Sequence, residues 1–146
     1  MKVLLVTDGS CEQELRQTRS WLETQDCEVL VLDLVTANGV KDRKDSITSL
    51  VDECDVVLLF LTSGLNIIDV QISILAAKVK GKKVVGVRLS GTNTIDEFEK
   101  FGSALIQLDR GRLIASVCGD RAEWTDDEGD PRPEPETERH RCKKPT

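Results

Sequence analysis

Five apolar segments recur along the chain at intervals of about 20 to 30 residues: Lys2 to Thr7 (KVLLVT), Glu28 to Leu34 (EVLVLDL), Asp55 to Thr62 (DVVLLFLT), Lys83 to Leu89 (KVVGVRL) and Ala104 to Leu108 (ALIQL). They are rich in Val, Leu and Ile and nearly continuous rather than alternating. Strands buried on both faces require this pattern, and a parallel sheet covered by helices on each side supplies that environment.

The segments between them carry helical spacing. Ser10 with Gln13 reads as a capping box opening a helix to about Gln25, with Leu15, Thr18 and Leu22 on one face. Asp45 can cap a short helix from Ser46 to about Glu53, with Ile47, Leu50 and Val51 turned inward. Asn66 and Asp69 open a third helix to Lys80, whose Ile68, Ile72, Leu75, Ala76 and Val79 form an apolar stripe before Gly81 stops it. Thr94 with Glu97 is a second capping box, leading through Phe98 and Phe101. Asp109 can cap a last helix bearing Leu113, Ile114 and Val117 ahead of Gly119. A βα alternation joined by right-handed crossovers makes an α/β three-layer sandwich. For five strands the expected arrangement is the flavodoxin-like parallel sheet of order 2-1-3-4-5.

The pattern stops at Asp120. From there to Thr146 the chain holds nine acids, six bases and all four prolines, with no aliphatic residue after Trp124. Residues 1–124 are thus expected to form the domain and 125–146 a disordered, acidic, proline-bearing tail. Trp124 is the exception, a large apolar residue able to dock back on the domain.

Composition removes several function classes. No apolar run approaches the ~20 residues that span a bilayer, and the opening MKVLLVTDGS breaks at Asp8 after too short an apolar stretch for a secretory signal, so a cytoplasmic protein away from membranes is expected. A net charge of −6 opposes phosphate backbones, and the only basic cluster is Lys78, Lys80, Lys82 and Lys83, which argues against nucleic-acid binding. Five cysteines without a CxxC pair fit neither a disulfide framework nor a zinc site. They read as reduced thiols, Cys54 and Cys118 standing where apolar residues would, and no metal is expected. His140, the lone histidine, lies in the tail, which excludes Ser/His and Cys/His catalysis from the domain.

In a sheet of this order the ligand crevice lies at the carboxyl ends of strands one and three, where the winding reverses. The residues there are Thr7, Asp8, Gly9 and Ser10 after strand one, Thr62, Ser63 and Gly64 after strand three, and Ser90, Gly91, Thr92 and Asn93 after strand four. Small, hydroxyl-bearing and glycine residues let a ligand approach the backbone and offer donors to phosphate or ribose oxygens. The same residue types also make ordinary turns and helix caps.

Known occupants of this architecture can be tested on those loops. A phosphate-accepting receiver domain needs an acidic pair after strand one, an aspartate ending strand three and a lysine ending strand five. Here stand Asp8 alone, Leu61 to Ser63, and Leu108. A flavin usually needs aromatic cover, yet the chain has no tyrosine. The opening VLLVTDGSCEQEL is similar to a universal stress protein, but that family's late glycine-rich nucleotide loop is missing.

The middle segment DSITSLVDECDVVLLFLTSGLNIIDVQISILAAKVKGKKVVGVRLSG, Asp45 to Gly91, resembles the TIR-like (Toll/interleukin receptor-like) superfamily, which borders the nucleoside 2-deoxyribosyltransferases. The likeness lies in a short helix ending in a Cys-Asp step into a buried strand, a serine loop, an Ala-bearing helix and a GKxV entry to strand four. IQLDRGRLIASVCGDRAEW, Ile106 to Trp124, resembles the close of such a domain. Both families place a catalytic glutamate in the helix after strand three, where a carboxylate stabilises an oxocarbenium-like ribose or attacks the sugar. Aligning Gly81 to Val84 without gaps puts Ser73 at that position, and a hydroxyl cannot supply the charge. Asp69, one turn earlier, is either a helix-capping residue or a displaced catalytic acid. Asp8, Glu12 and Glu14 are further acids near strand one, and Cys11 at the start of helix one would have a depressed pKa if its thiolate faced the helix terminus.

The resemblance implies a signalling or defence module, and the absent glutamate favours one without catalysis. Such a module binds a nucleotide-type ligand, NAD included, or assembles with other TIR-like domains, homo-oligomers among them. No resident cofactor is implied. The alternative is an enzyme that cleaves an N-glycosidic bond in NAD or a nucleoside, which would rest on Asp69, Ser63 and Asp8.

Overall fold

The structure, a computed structural model, describes residues 1–34, 39–89, 92–100, 102–119 and 124, and of Val40, Lys41, Thr92, Asn93, Thr94 and Asp96 only the backbone. The ten elements alternate throughout: β1 Lys2–Thr7, α1 Glu12–Glu23, β2 Glu28–Asp33, α2 Val40–Glu53, β3 Val56–Leu61, α3 Ile67–Val79, β4 Lys83–Arg88, α4 Thr92–Glu99, β5 Ala104–Gln107 and α5 Arg110–Cys118. The sheet is wholly parallel and its order is β2-β1-β3-β4-β5. The fold is therefore the flavodoxin-like α/β sandwich that the continuous apolar runs require.

All six residues of β3 are buried, and their side chains alternate between two cores. Val57, Leu59 and Leu61 join Leu4, Val6, Leu105 and the inner faces of α2, α3 and α4. Val56, Leu58 and Phe60 join Val3, Leu5, Val85, Val87 and Ile106 beneath α1 and α5. In β4, Gly86 permits the closest packing of the first core, since a Cβ there would come within 2.9 Å of both Leu61 and Phe98. Trp124 does dock. It is 2% exposed, bridges to Leu105 beside the edge strand β5, and sits 6.3 Å from the Phe98 ring. The proposed tail, 125–146, lies outside the described residues, as do Gly91 and Phe101. Among the described residues no helix is long and apolar enough to cross a membrane.

Helix starts differ from the expectations where side chains have other partners. α1 begins after Cys11, not from a Ser10 cap, because the Ser10 hydroxyl donates to Asp8 Oδ1 at 2.6 Å. α2 starts at Val40, six positions before Ser46, out of a turn in which Gly39 takes φ 91°. Asp45 is thus an exposed residue inside the helix rather than its cap. α4 starts at Thr92, ahead of the Thr94 box, and the Glu97 carboxylate instead accepts from Gln71 and pairs with Lys100 at 2.8 Å. Asp109 caps α5 as expected, accepting from the Arg112 N–H at 3.0 Å.

The largest correction concerns α3. Its apolar residues run around almost the whole helix, and the face laid on the sheet is Asp69, Val70, Ser73, Ile74 and Ala77. The expected stripe is turned the other way: Ile68 is exposed, Leu75 is 66% and Val79 73% exposed, and only Ile72 and Ala76 reach the core edge. Cys118 is also corrected, being exposed, whereas Cys54 is buried as expected.

These two helical and strand assignments can be separated by mutation. Leu59→Ala should cost ~2 to 5 kcal/mol in chemical denaturation, the range for a buried Leu cavity, and Leu75→Ala well under ~1 kcal/mol, as a surface change. Equal losses at the two positions would contradict this burial.

Candidate functional site

The reversal point between β1 and β3 forms a cleft of about 220 Å3 lined by Asp8, Leu34, Arg43, Gly64, Leu65, Asn66 and Asp69. Its geometry is built from the strand ends outward. Thr7, last in β1, turns its hydroxyl back to accept from the Gly9 N–H at 3.0 Å, with Gly9 in the left-handed region at φ 87°. Asp8 closes the same turn by accepting at Oδ1 from the Ser10 N–H at 2.9 Å and from its hydroxyl. Its other oxygen accepts from Thr62 Oγ1 at 2.8 Å, which ties the loop after β1 to the loop after β3. Gly64 has to be glycine for this tie, because a Cβ there would collide with Asp8 Oδ2.

Asp69 forms the other wall. It lies in the first turn of α3, is 3% exposed, and accepts at Oδ1 from Arg43 Nε at 2.9 Å. The capping function falls to Asn66, whose side-chain oxygen accepts from the Ile68 N–H at 2.8 Å. Asp69 is therefore a cleft residue in an ion pair and not a cap. Ser73, on the next turn of the same face, is wholly buried and donates to the Asp69 carbonyl oxygen at 2.7 Å, so its hydroxyl serves the helix and not the cleft.

The cleft brings together Asp8, Thr62 (through its bond to Asp8), Gly64 and Asp69. Gly9 and Ser10 shape the Asp8 turn without lining the cleft, and Ser63 is exposed and also off the lining. Ser90 lies outside the described residues, and Thr92 and Asn93 open α4 with their side chains outside them. Arg43 escaped sequence reasoning altogether. It stands in the polar run VKDRKD, which has no apolar periodicity, and only the early start of α2 carries it to the cleft. Cys11 departs from its expectation too. Burial, reinforced by the nearby Asp8 and Glu14 charges, raises its thiol despite a 3.3 Å contact with Thr7 Oγ1. It is a buried cap residue, not an activated nucleophile. Among the described residues no three His, Cys, Asp or Glu gather as a metal site.

Partial burial pushes Asp8 up, but the hydrogen bonds from Ser10, Thr62 and its own backbone N–H outweigh that and hold it below its ordinary 3.8. The cleft thus presents two carboxylates, Asp8 and Asp69, the second paired with Arg43, which itself lines the cleft. Both are acceptors, suited to ligand hydroxyl or amine donors.

No protein-family model matches this chain, and no curated protein matches it. Among solved structures, it is similar to an ABC transporter periplasmic solute-binding protein from Actinobacillus succinogenes with bound D-allose, at a TM-score of 0.47 and 11% identity. The likeness covers 72% of this chain and 37% of that one, so the chain spans little more than a third of that protein. At this level it bears on neither ligand nor site.

Asp8 gives a pH signature. With its folded pKa depressed, the native state holds fewer protons in acid than the unfolded chain; the stability it contributes is present above the unfolded value and is lost as pH falls through the lower folded one. Asp8→Asn should flatten the fall of melting temperature below about pH 4 relative to wild type. Parallel melting curves for the two proteins across that window would remove Asp8 from this role.

Proposed function

We propose that this chain is a TIR-like signalling or defence module, acting in the cytoplasm, that binds the sugar part of a nucleotide-type ligand between Asp8 and Asp69 without catalysing its cleavage. The observation that carries this reading is the ion pair of buried Asp69 with half-buried Arg43 on the cleft wall. A carboxylate that stabilises an oxocarbenium ion has to offer its negative charge to the sugar, and an Arg 2.9 Å away already offsets that charge. The second oxygen of the Asp69 carboxylate suits a hydroxyl donor.

Size and charge narrow the ligand. Sites that bury a drug-sized molecule usually measure ~300 to 1,000 Å3. At about 220 Å3 this cleft takes a pentose-sized group, leaving base or phosphate outside. A phosphate inside would face ionised Asp8, and like charges ~4 Å apart repel by about 4 kcal/mol at an effective dielectric of ~20. Vicinal ribose hydroxyls meet acceptors on both walls instead. Phosphate cradling by these loops is disfavoured on that ground, and a nucleoside, or the nucleoside end of NAD, is the fitting ligand.

A second reading, assembly with other TIR-like domains, is favoured by the outward Ile68, Leu75 and Val79 and by the apolar groove of about 410 Å3 between α2 and α3, lined by Lys44, Thr48, Ile72, Leu75, Ala76, Val79 and Lys80. The two readings separate in solution. Under the first, adenosine at millimolar concentration raises the melting temperature by a few degrees, AMP raises it less, and Asp69→Asn abolishes both shifts. NAD is recovered intact by chromatography, with no nicotinamide released. If no nucleoside shifts the wild type while sedimentation shows Leu75-dependent self-association, assembly is the function; if nicotinamide or free base appears, the domain is an N-glycosidic-bond-cleaving enzyme with Asp69 as its acid.

A further inference from the structure

Cys27 and Cys118 lie 91 positions apart and meet with their sulfurs 3.8 Å from each other. Two turns produce the encounter. After α1, Asp26 adopts the left-handed region at φ 61°, and the Cys27 N–H returns to the Leu22 carbonyl at 3.2 Å, fixing Cys27 at the amino end of β2. Cys118 ends α5, and there the carbonyls of Ser116 and of Gly119, the next residue after the helix, accept from Lys83 Nζ at 2.7 and 2.8 Å. α1 and α5 cover the same face of the sheet, so the two sulfurs meet at its amino edge, away from the cleft.

We propose that Cys27 and Cys118 form a reversible disulfide clasp that responds to the thiol–disulfide state of the surroundings. The bond needs the sulfurs at ~2.05 Å, and rotation of a side chain in the last turn of a helix can supply an approach of less than 2 Å. Access assigns the roles: Cys118 is exposed and Cys27 is buried. The oxidant is a low-molecular-weight disulfide. The Cys118 thiolate attacks one of its sulfurs, giving a mixed disulfide and releasing one small thiol. Cys27, as thiolate, then attacks the Cys118 sulfur and releases the second. Two protein thiols are oxidised, one small disulfide is reduced to two thiols, and the two thiol protons pass to the departing thiolates. Burial and the adjacent Cys27 push the Cys118 thiol up to about 11, opposed by the Lys83 and Met1 ammonium groups that face it. The attacking thiolate is therefore scarce at neutral pH, and the clasp follows a sustained oxidising condition instead of a brief one.

Closure joins the turn after α1 to the point where the chain leaves α5 for Trp124, which packs on the opposite face of the sheet. The two helices of one layer then share a covalent anchor.

The full chain, which carries five cysteines, supplies the test. After incubation with excess oxidised glutathione at about pH 8.5 and removal of the reagent, the denatured protein should have lost the thiols of both Cys27 and Cys118 to one bridge, whatever glutathione Cys142 carries. Trypsin should yield residues 20–41 joined to residues 113–121, two hydrogens below their summed mass. The melting temperature should rise by about 10 °C and return on reduction, as a cross-link closing a loop of this length gives. Cys118→Ser should show neither the bridge nor the rise. Cys27→Ser should keep glutathione trapped on Cys118, which reports the resolving step even if the variant melts lower. Free thiols remaining at Cys27 and Cys118, a bridge from Cys118 to Cys142, or a mixed disulfide that persists on Cys118 of the wild type would each overturn the clasp.

Discussion

Because every side chain of β3 is withdrawn from water, each backbone N–H and C=O of that strand has to find its partner inside the sheet, and each face has to be roofed by a helix. Both demands are met here by β1 and β4, which flank it in parallel, and by connections that cross over it. Helices α2, α3 and α4 then fall on one side and α1 and α5 on the other. The same demand locates the cleft. The chain leaves β1 for one face and β3 for the other, so the loops after them part, and the Asp8–Thr62 bond is what holds their bases together.

Much of this was legible because burial on both faces writes itself as an uninterrupted run of Val, Leu and Ile. Helix orientation was less legible, and α3 shows why. Ile67, Ile68, Val70, Ile72, Ile74, Leu75, Ala76, Ala77 and Val79 surround its axis, so two stripes compete for the core. The richer stripe lost. The face that won carries Asp69 and Ser73, whose polar atoms have partners in place, and the small Ser73 and Ala77, which let the helix lie close to the sheet. Hydrophobic periodicity counts apolar side chains and cannot see a salt bridge arriving from another helix.

The cleft divides along the same line. Asp8, Thr62 and Gly64 could be nominated from sequence because strand ends mark the carboxyl edge of a parallel sheet. Which of their neighbours face inward depends on turn geometry: Ser10 bends back to Asp8, and Ser63 stays in solvent while Gly64, one residue later, reaches the cleft. Arg43 was invisible, since a charged residue in a charged run reads as a solvated face until the helix start is known. Cys27 and Cys118 were unremarkable singly, and only the fold brings them together.

Ser73, Asp69, Arg43 and the early start of α2 belong to one physical arrangement. Position 73 lies against the sheet, where a carboxylate would be buried with Arg43 already paired to Asp69, a cost of several kcal/mol for an uncompensated ion. A serine avoids it by donating to the carbonyl four residues back. The α3 carboxylate that lines the cleft is Asp69, one turn before Ser73. Its burial is tolerable only because α2 begins at Val40 and so delivers Arg43 to within 2.9 Å. The ion pair that permits the carboxylate at this depth also offsets the charge a glycosidic cleavage would need, so the packing of α2 on α3 is the physical ground on which binding without catalysis is proposed.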